Sequence, residues 1–328
     1  MLNETLHLNG GVLNGTSEKA GIRDGFGAGL VQAAQDNDQV VGLCCDLTES
    51  VRMHHFKESF PDRFVEVGVA EQNLASVGSG MAAMGKIPFI ASYAMFNPGR
   101  NWEQIRTTVC YNNVPVKIVG GHAGISVAQD GGTHQAIEDI AIMRVLPRME
   151  VVVPCDMNQA KKATESIAKT SSPTYLRLEK QKTLAVTTEE TPFEIGKAQS
   201  LFNTGKNVKT VIIACGSLVA TALQTAQRLS GEGKEVEVIN MHTIKPMDTE
   251  CLKRISEHAT HVVTLEEHQR AGGLGGAVSE WFSGHHPLYV HRLGVPDEFG
   301  ESGTADELLS KHGLDVESVY DFVKNIHQ

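Results

Sequence analysis

From Ser17 to about residue 185, apolar runs too short for helices alternate with stretches of helical period. The runs QVVGLCCDL (39–47), KIPFIASYAMF (86–96), VPVKIVGGHAG (114–124), MEVVVPCD (149–156) and PTYLRLEK (173–180) read as buried strands. SEKAGIRDGFGAGLVQAAQDN (17–37) reads as a helix, with Ser17 as its cap and Ile22, Phe26, Leu30 and Ala33 along one face. RNWEQIRTTVCYNN (100–113) and MNQAKKATESIAKT (157–170) are helical too, and VEVGVAEQNLASVGSGMAAMG (65–85) begins as a strand and turns helical at Glu71. Such alternation implies an α/β fold whose mainly parallel sheet carries helices on both faces.

The pattern then breaks. Residues 186–206 are polar and irregular, a linker with room for a short strand. Alternation restarts with VKTVIIACG (208–216), the helix SLVATALQTAQRLSGEG (217–233), the strands EVEVINMHTIKP (235–246), HVVTLEEH (261–268) and PLYVHRLGVP (287–296), and a closing helix DVESVYDFVKNI (315–326). The expected organisation is therefore an N-terminal extension (1–16), a first domain (17–185), the linker (186–206) and a second, smaller α/β domain (207–328), each domain a mainly parallel sheet flanked by helices.

A chain of 328 residues suits two such domains, and 41 % apolar with 21 % charged content supplies ordinary cores. The net charge of −10 disfavours nucleic acid and anionic membranes as partners, while leaving room for a small anion in a local basic pocket. Six cysteines without a CxxC pair read as buried free thiols, and with no leader-like start or bilayer-length apolar run the expected location is the cytoplasm.

Several stretches could carry chemistry. GFGAGL (25–30), with Asp46 beyond it, has glycines in a dinucleotide-like rhythm but lacks the strand that should precede them. GGLGG (272–276) does follow a strand, and close packing explains it better than a phosphate loop. Glu71 lies at a strand-to-helix transition among apolar neighbours, where a carboxylate is costly unless paired; held there it would suit proton donation to a ring nitrogen. At a helix N-terminus the dipole alone would also favour it. Tyr93 and Phe96 follow an apolar strand and could be core or could sandwich a flat heterocycle.

HAGISVAQDGGTHQAIED (122–139) places His122, Asp130 and His134 on one glycine-rich connection after a strand. Loops at the carboxyl ends of parallel strands are where such sheets bind ligands, and imidazoles there can bond hydroxyls, polarise a carbonyl or carry protons. The spacing matches no zinc pattern, so no metal site is expected on this chain. Arg177, a cation in an apolar strand, and Ser50, after a strand end, could grip an anion.

DLTES, GVAEQN, SYAMF, HAGISVAQDGGTHQAIED and TYLRLEK occur in the order found in transketolases, and LEEHQRAGGLGGAVSE resembles their C-terminal segment in split transketolases and deoxyxylulose-phosphate synthase. The resemblance implies thiamine diphosphate as cofactor and transfer of a two-carbon ketol unit from a ketose to an aldose. It also implies roles. Glu71 bonds the aminopyrimidine nitrogen; Tyr93 and Phe96 pack on that ring; Asp46 lies near the diphosphate. Asp130 meets a donor hydroxyl and His134 the reacting carbons. His122, Arg177 and Ser50, with Arg23 as a fourth member, grip the distal phosphate or a similar anion.

No GDG segment followed by an asparagine cluster is found, so the chain resembles the pyrimidine-binding plus C-terminal subunit of a two-subunit enzyme. The complementary N-terminal subunit is then the expected partner. It would hold most of the diphosphate and the Mg2+ or Ca2+, in a heterotetramer of two of each. Deoxyxylulose-phosphate synthase, the beta subunit of 2-oxoacid dehydrogenases and a catalytically silent regulatory paralogue are the alternatives. The first lacks a counterpart of His122 and the second the DGGTHQ run; a silent paralogue would need none of Glu71, Asp130 and His134.

Overall fold

The computed structural model describes residues 1–205 and 208–326. In chain order the strands are β1 (Lys19–Gly21), β2 (Val40–Cys44), β3 (Phe64–Glu66), β4 (Ile87–Tyr93), β5 (Lys117–Ala123), β6 (Glu150–Val152), β7 (Thr174–Glu179) and β8 (Lys182–Leu184). They continue with β9 (Gln199–Asn203), β10 (Thr210–Ala214), β11 (Glu237–Asn240), β12 (Thr243–Lys245), β13 (His261–Gln269) and β14 (Val290–Val295).

The first sheet runs β12-β6-β7-β5-β4-β2-β3, all parallel except the edge strand β12. The second runs β14-β13-β10-β11-β9, parallel except for the edge strand β9. The expected two-domain α/β architecture is thus present. Every residue of β2, β5 and β10 is buried, as continuous apolar strands covered by helices on both faces require. Parallel pairing also brings the carboxyl ends of β2, β3, β4, β5 and β7 to one side of the first sheet.

Three local expectations change. The first helix starts at Ile22, not at Ser17. Lys19–Gly21 pair instead with Lys182–Leu184, Gly21 takes the cap position, and Ser17 Oγ finds no partner among the described residues. The GFGAGL glycines lie inside that helix and serve close packing. A methyl at Gly25 would strike Met157 O, and one at Gly29 would lie 2.6 Å from Lys161 O, on the helix Met157–Ile167. EVEVINMHTIKP splits: β11 belongs to the second sheet, whereas β12 crosses over and completes the edge of the first.

The ends and the linker are integrated too. Asn3 N donates to Leu201 O at 2.9 Å, Leu2 bridges Phe202, and Leu2, Leu6, Leu8 and Val12 pack into the second core. Within the linker, β9 is a strand of the second sheet while Phe193 and Ile195 pack on the first core. The expected boundary between residues 206 and 207 lies outside the described residues. All six cysteines are unpaired, and five are buried. Among the described residues no helix is long and apolar enough to cross a membrane.

Candidate active site

Strand ends set the site. β4 ends at Tyr93, and Asn97 Nδ2 then donates to both Ile90 O (3.0 Å) and Val119 O (3.1 Å), fastening the 94–101 turn across β4 and β5. Asn101 Nδ2 continues the tie, donating to Asn97 Oδ1 and to the backbone oxygen of Glu71 at 2.9 Å. This anchors the first residue of the helix Glu71–Ala83 beside the turn. At the end of β5 the pairing with β7 shifts register after Gly120, and His122 takes a left-handed φ of +54°. A bulge at a strand end re-aims a side chain, and a non-glycine residue held there costs about 1–3 kcal/mol that the surroundings must supply.

The side chains so placed form one continuous row. Glu71, 2 % exposed, pairs with Arg100, whose Nη1 lies 2.8 Å from Glu71 Oε2 and whose guanidinium stands 4.8 Å from the Phe96 ring. Phe96 and Tyr93 stack at 6.3 Å, and His134 meets Phe96 edge-on at 5.6 Å. Tyr93 stacks on His122 at 3.8 Å, and Arg23 Nη1 reaches His122 Nε2 at 3.2 Å. Arg23 also donates to the carbonyls of Ser50 and Lys180. Lys180 Nζ in turn lies 3.2 Å from Asp130 Oδ2.

Burial, and then the charges of Arg23 and Lys180, push the His122 pKa down to about 2. His122 is therefore neutral, accepts from Arg23 through Nε2, and carries its proton on Nδ1. That Nδ1 and Arg23 Nε are buried without a partner among the described residues.

Glu71, Tyr93, Phe96, His122, His134, Asp130, Arg23 and Ser50 are thus brought together. Ser50 joins through its backbone carbonyl. Asp46, φ +57°, sits exposed at the end of β2, its N–H held by Glu66 Oε1 at 2.7 Å, with its neighbour Cys45 against Ala70.

Arg177 does not join them. It is 1 % exposed and bonds Asp139 Oδ2 (2.8 Å), Glu179 Oε1 (3.0 Å) and Glu267 O (2.7 Å) between the domains. Burial alone would lower its pKa, but the carboxylates of Asp139 and Glu179 outweigh it and raise the value. The cause is strand periodicity: Tyr175, Arg177 and Glu179 alternate with Leu176 and Leu178, and the odd positions face the second domain. Lys180, just past the strand end, is the cation that reaches Asp130 instead. Its signal was visible, since a cation directly after a parallel strand stands at the ligand side of the sheet. Arg100 and Asn101 were missed because nothing local marks them.

At GGLGG, Leu274 N and Gly275 N donate to Glu266 at 2.6 and 2.7 Å, so this chain's own carboxylate fills the anion position at that helix start. Among the described residues no group of three or more His, Cys, Asp or Glu could hold a metal ion. A flat heterocycle with a basic nitrogen fits the other end of the row. The planar guanidinium of Arg100 already sits over Phe96 and against the Glu71 carboxylate, beside a cleft of about 470 Å³ lined by Val69, Glu71, Gln72 and Gln104.

Known proteins resemble this chain along most of its length. The transketolase pyrimidine binding domain matches residues 18–184, and the transketolase C-terminal domain residues 177–319. A protein of Methanocaldococcus jannaschii named as a transketolase C-terminal section is 42 % identical over 302 residues, 91 % of this chain and 94 % of that protein. The 6-deoxy-6-sulfo-D-fructose transketolase subunit SqwH of Clostridium sp. is 39 % identical over 92 % of this chain and 93 % of its own length. A solved structure described as a split gene transketolase, inactive beta4 tetramer, superposes with a TM-score of 0.86 at 40 % identity over 93 % of this chain and 97 % of that one. With both domain patterns in register and relatives matched nearly end to end, the chain belongs to the transketolase family.

Proposed function

We propose that this chain is the pyrimidine-binding and C-terminal subunit of a two-subunit transketolase. The observation that carries the reading is the unbroken row from Glu71 through Phe96, His134, Tyr93 and His122 to Arg23. It joins a buried acid beside an aromatic platform to a basic pocket. Thiamine diphosphate bound at the Glu71 end supplies the carbon nucleophile that ketol transfer requires.

This chain's residues have separate tasks. Glu71 holds a proton at the aminopyrimidine nitrogen, and Phe96 and Tyr93 exclude water from that ring. Neutral His122, with Nε2 occupied by Arg23, is a donor through Nδ1 to a sugar oxygen. His134 and Asp130 meet the donor's hydroxyls near the bond that breaks. Arg23 and Lys180 hold the distal anion of the donor, which can be a phosphate or a sulfonate; a relative named for a sulfo-sugar supports that breadth. The carbon–carbon bond next to the donor's carbonyl breaks, an aldose leaves, and the two-carbon unit joins an acceptor aldehyde.

The chain offers only one end of the cofactor a seat. The complementary N-terminal subunit would hold the diphosphate and its Mg2+ or Ca2+, with Asp46 at the boundary, in an assembly of two of each. The relative described as an inactive β4 tetramer supports this dependence. The test is co-expression with the complementary subunit and an assay of ketol transfer with thiamine diphosphate and magnesium. Activity is expected only from the pair; activity of this chain alone refutes the division of labour. In the pair, Glu71→Gln should retain the cofactor and lose about 10²–10⁴ in kcat. Near-normal turnover would refute the role of Glu71.

A further inference from the structure

The loop 125–135 carries Asp130 and His134, yet it has little regular structure: a short 3-10 stretch over Ile125–Asp130, interrupted at Ala128 with φ +68°. Irregular segments with few internal hydrogen bonds open easily unless held from outside. The loop bonds itself at Gly131 and between Gly124 and Ala136, and Lys180 of its own domain reaches Val127 O and Asp130; a further hold comes from the second domain. Gln135, buried at 2 % exposure, aims its Nε2 at three carbonyls: Glu301 at 2.9 Å, Ile125 at 3.3 Å and Ala128 at 3.4 Å. One amide therefore closes the loop on itself and fastens it to the turn Gly300–Ser302.

Other contacts repeat the attachment. Ser302 Oγ donates to Gln129 O at 3.1 Å, and Glu267 Oε1 of β13 accepts the Ser126 N–H at 2.5 Å. The two segments approach closely at their glycines. A methyl at Gly300 would collide with Gln135 Oε1, and one at Gly132 would lie 2.5 Å from Gly300 O. The chain reaches this closeness because both sides present glycine.

We propose that the turn Gly300–Ser302, acting through Gln135, positions Asp130 and His134, so that the second domain sets the donor affinity of a site built on the first. Gln135 is a positioning residue: it touches neither cofactor nor sugar. The inference rests on the ketol-transfer reading for what Asp130 and His134 bind. A misplacement of about 1 Å at such groups can cost about 10²-fold in rate, whereas Glu71 takes its anchor from Asn101, outside this loop.

The test uses the full chain assembled with its complementary subunit, as wild type, Gln135→Glu, Gly300→Ala and Ser302→Ala. Gln135→Glu keeps the size of the side chain but offers one O–H at most in place of two N–H donors, and none when ionised. Amide hydrogen exchange of peptides spanning 124–136 should quicken about tenfold in Gln135→Glu and Gly300→Ala, with the helix Glu71–Ala83 unchanged. The donor KM should rise about tenfold in both, about twofold in Ser302→Ala, while the thiamine diphosphate Kd stays within about twofold of wild type.

Unchanged exchange and unchanged donor KM in Gln135→Glu overturn the proposal. So does a parallel loss of cofactor affinity, the signature of general damage. If Gly300→Ala does not accumulate as folded protein, Gln135→Glu and Ser302→Ala decide the question. If the wild-type assembly transfers no ketol unit, the functional reading fails while hydrogen exchange still decides whether the turn holds the loop.

Discussion

Replacing Arg177 by methionine distinguishes a residue that holds the fold from one that holds a substrate. Its guanidinium bonds Asp139, Glu179 and the Glu267 carbonyl out of reach of water. Methionine has similar reach and no charge, so two buried carboxylates lose the cation they share. Removing one partner of a buried ion pair costs about 3–5 kcal/mol. Asp139 keeps the Tyr175 hydroxyl at 2.7 Å and Glu179 keeps Ser217 N at 2.7 Å, which places the cost toward the lower end. For a chain of this size that corresponds to a fall in Tm of about 4–6 °C, read by calorimetry. The stranded carboxylates can take up protons, so the deficit should shrink when the pH is lowered from about 8 to about 5. The donor KM of the assembled enzyme should change little. A variant that melts within about 1 °C of wild type and binds its donor poorly would refute the assignment of Arg177 to the domain interface.

Lys180→Ala should have the opposite profile. Its partly exposed ammonium lies 3.2 Å from Asp130 Oδ2, so the Tm should hardly move while the KM for an anionic donor rises about tenfold; equal weakening of neutral donors would contradict an anion grip. Glu267 is pushed up to about 8 by burial and then by Glu179, so the fold favours its protonated form. The associated stability is fully present below the ordinary carboxyl value of 4.5 and is lost as pH rises through about 8. Thermal unfolding across that window should show the decline and Glu267→Gln should flatten it; an equal decline in the variant assigns it to another group. Deleting residues 1–8 removes partly buried Leu2, Leu6 and Leu8 from the second core and should destabilise that domain by about 2–4 kcal/mol in urea; no loss would show that the segment packs without contributing.

Much of the candidate site was legible because its residues sit where parallel strands stop. Glu71 at a strand-to-helix transition, Tyr93 and Phe96 at and just beyond the end of β4, and His122, Asp130 and His134 at and beyond the end of β5 all stand at one side of the first sheet. Local pattern misled where pairing was decided from afar. Ser17 satisfies the rule for a helix cap, but Lys19–Gly21 gain a strand partner from residues 182–184, far along the chain. Arg177 satisfies the rule for an anion-binding cation, but its side of β7 faces the second domain.

By itself the sequence determined the alternating strands and helices and the residues at the strand ends, because these follow from periodicity and from which side chains avoid water. Only the tertiary structure decided which cation lines the cleft, which domain claims β12 and the first sixteen residues, and what holds the loop bearing Asp130 and His134. Those outcomes depend on contacts between residues such as Gln135 and Glu301, or Arg177 and Glu267, that lie far apart along the chain, and no local pattern records such a meeting.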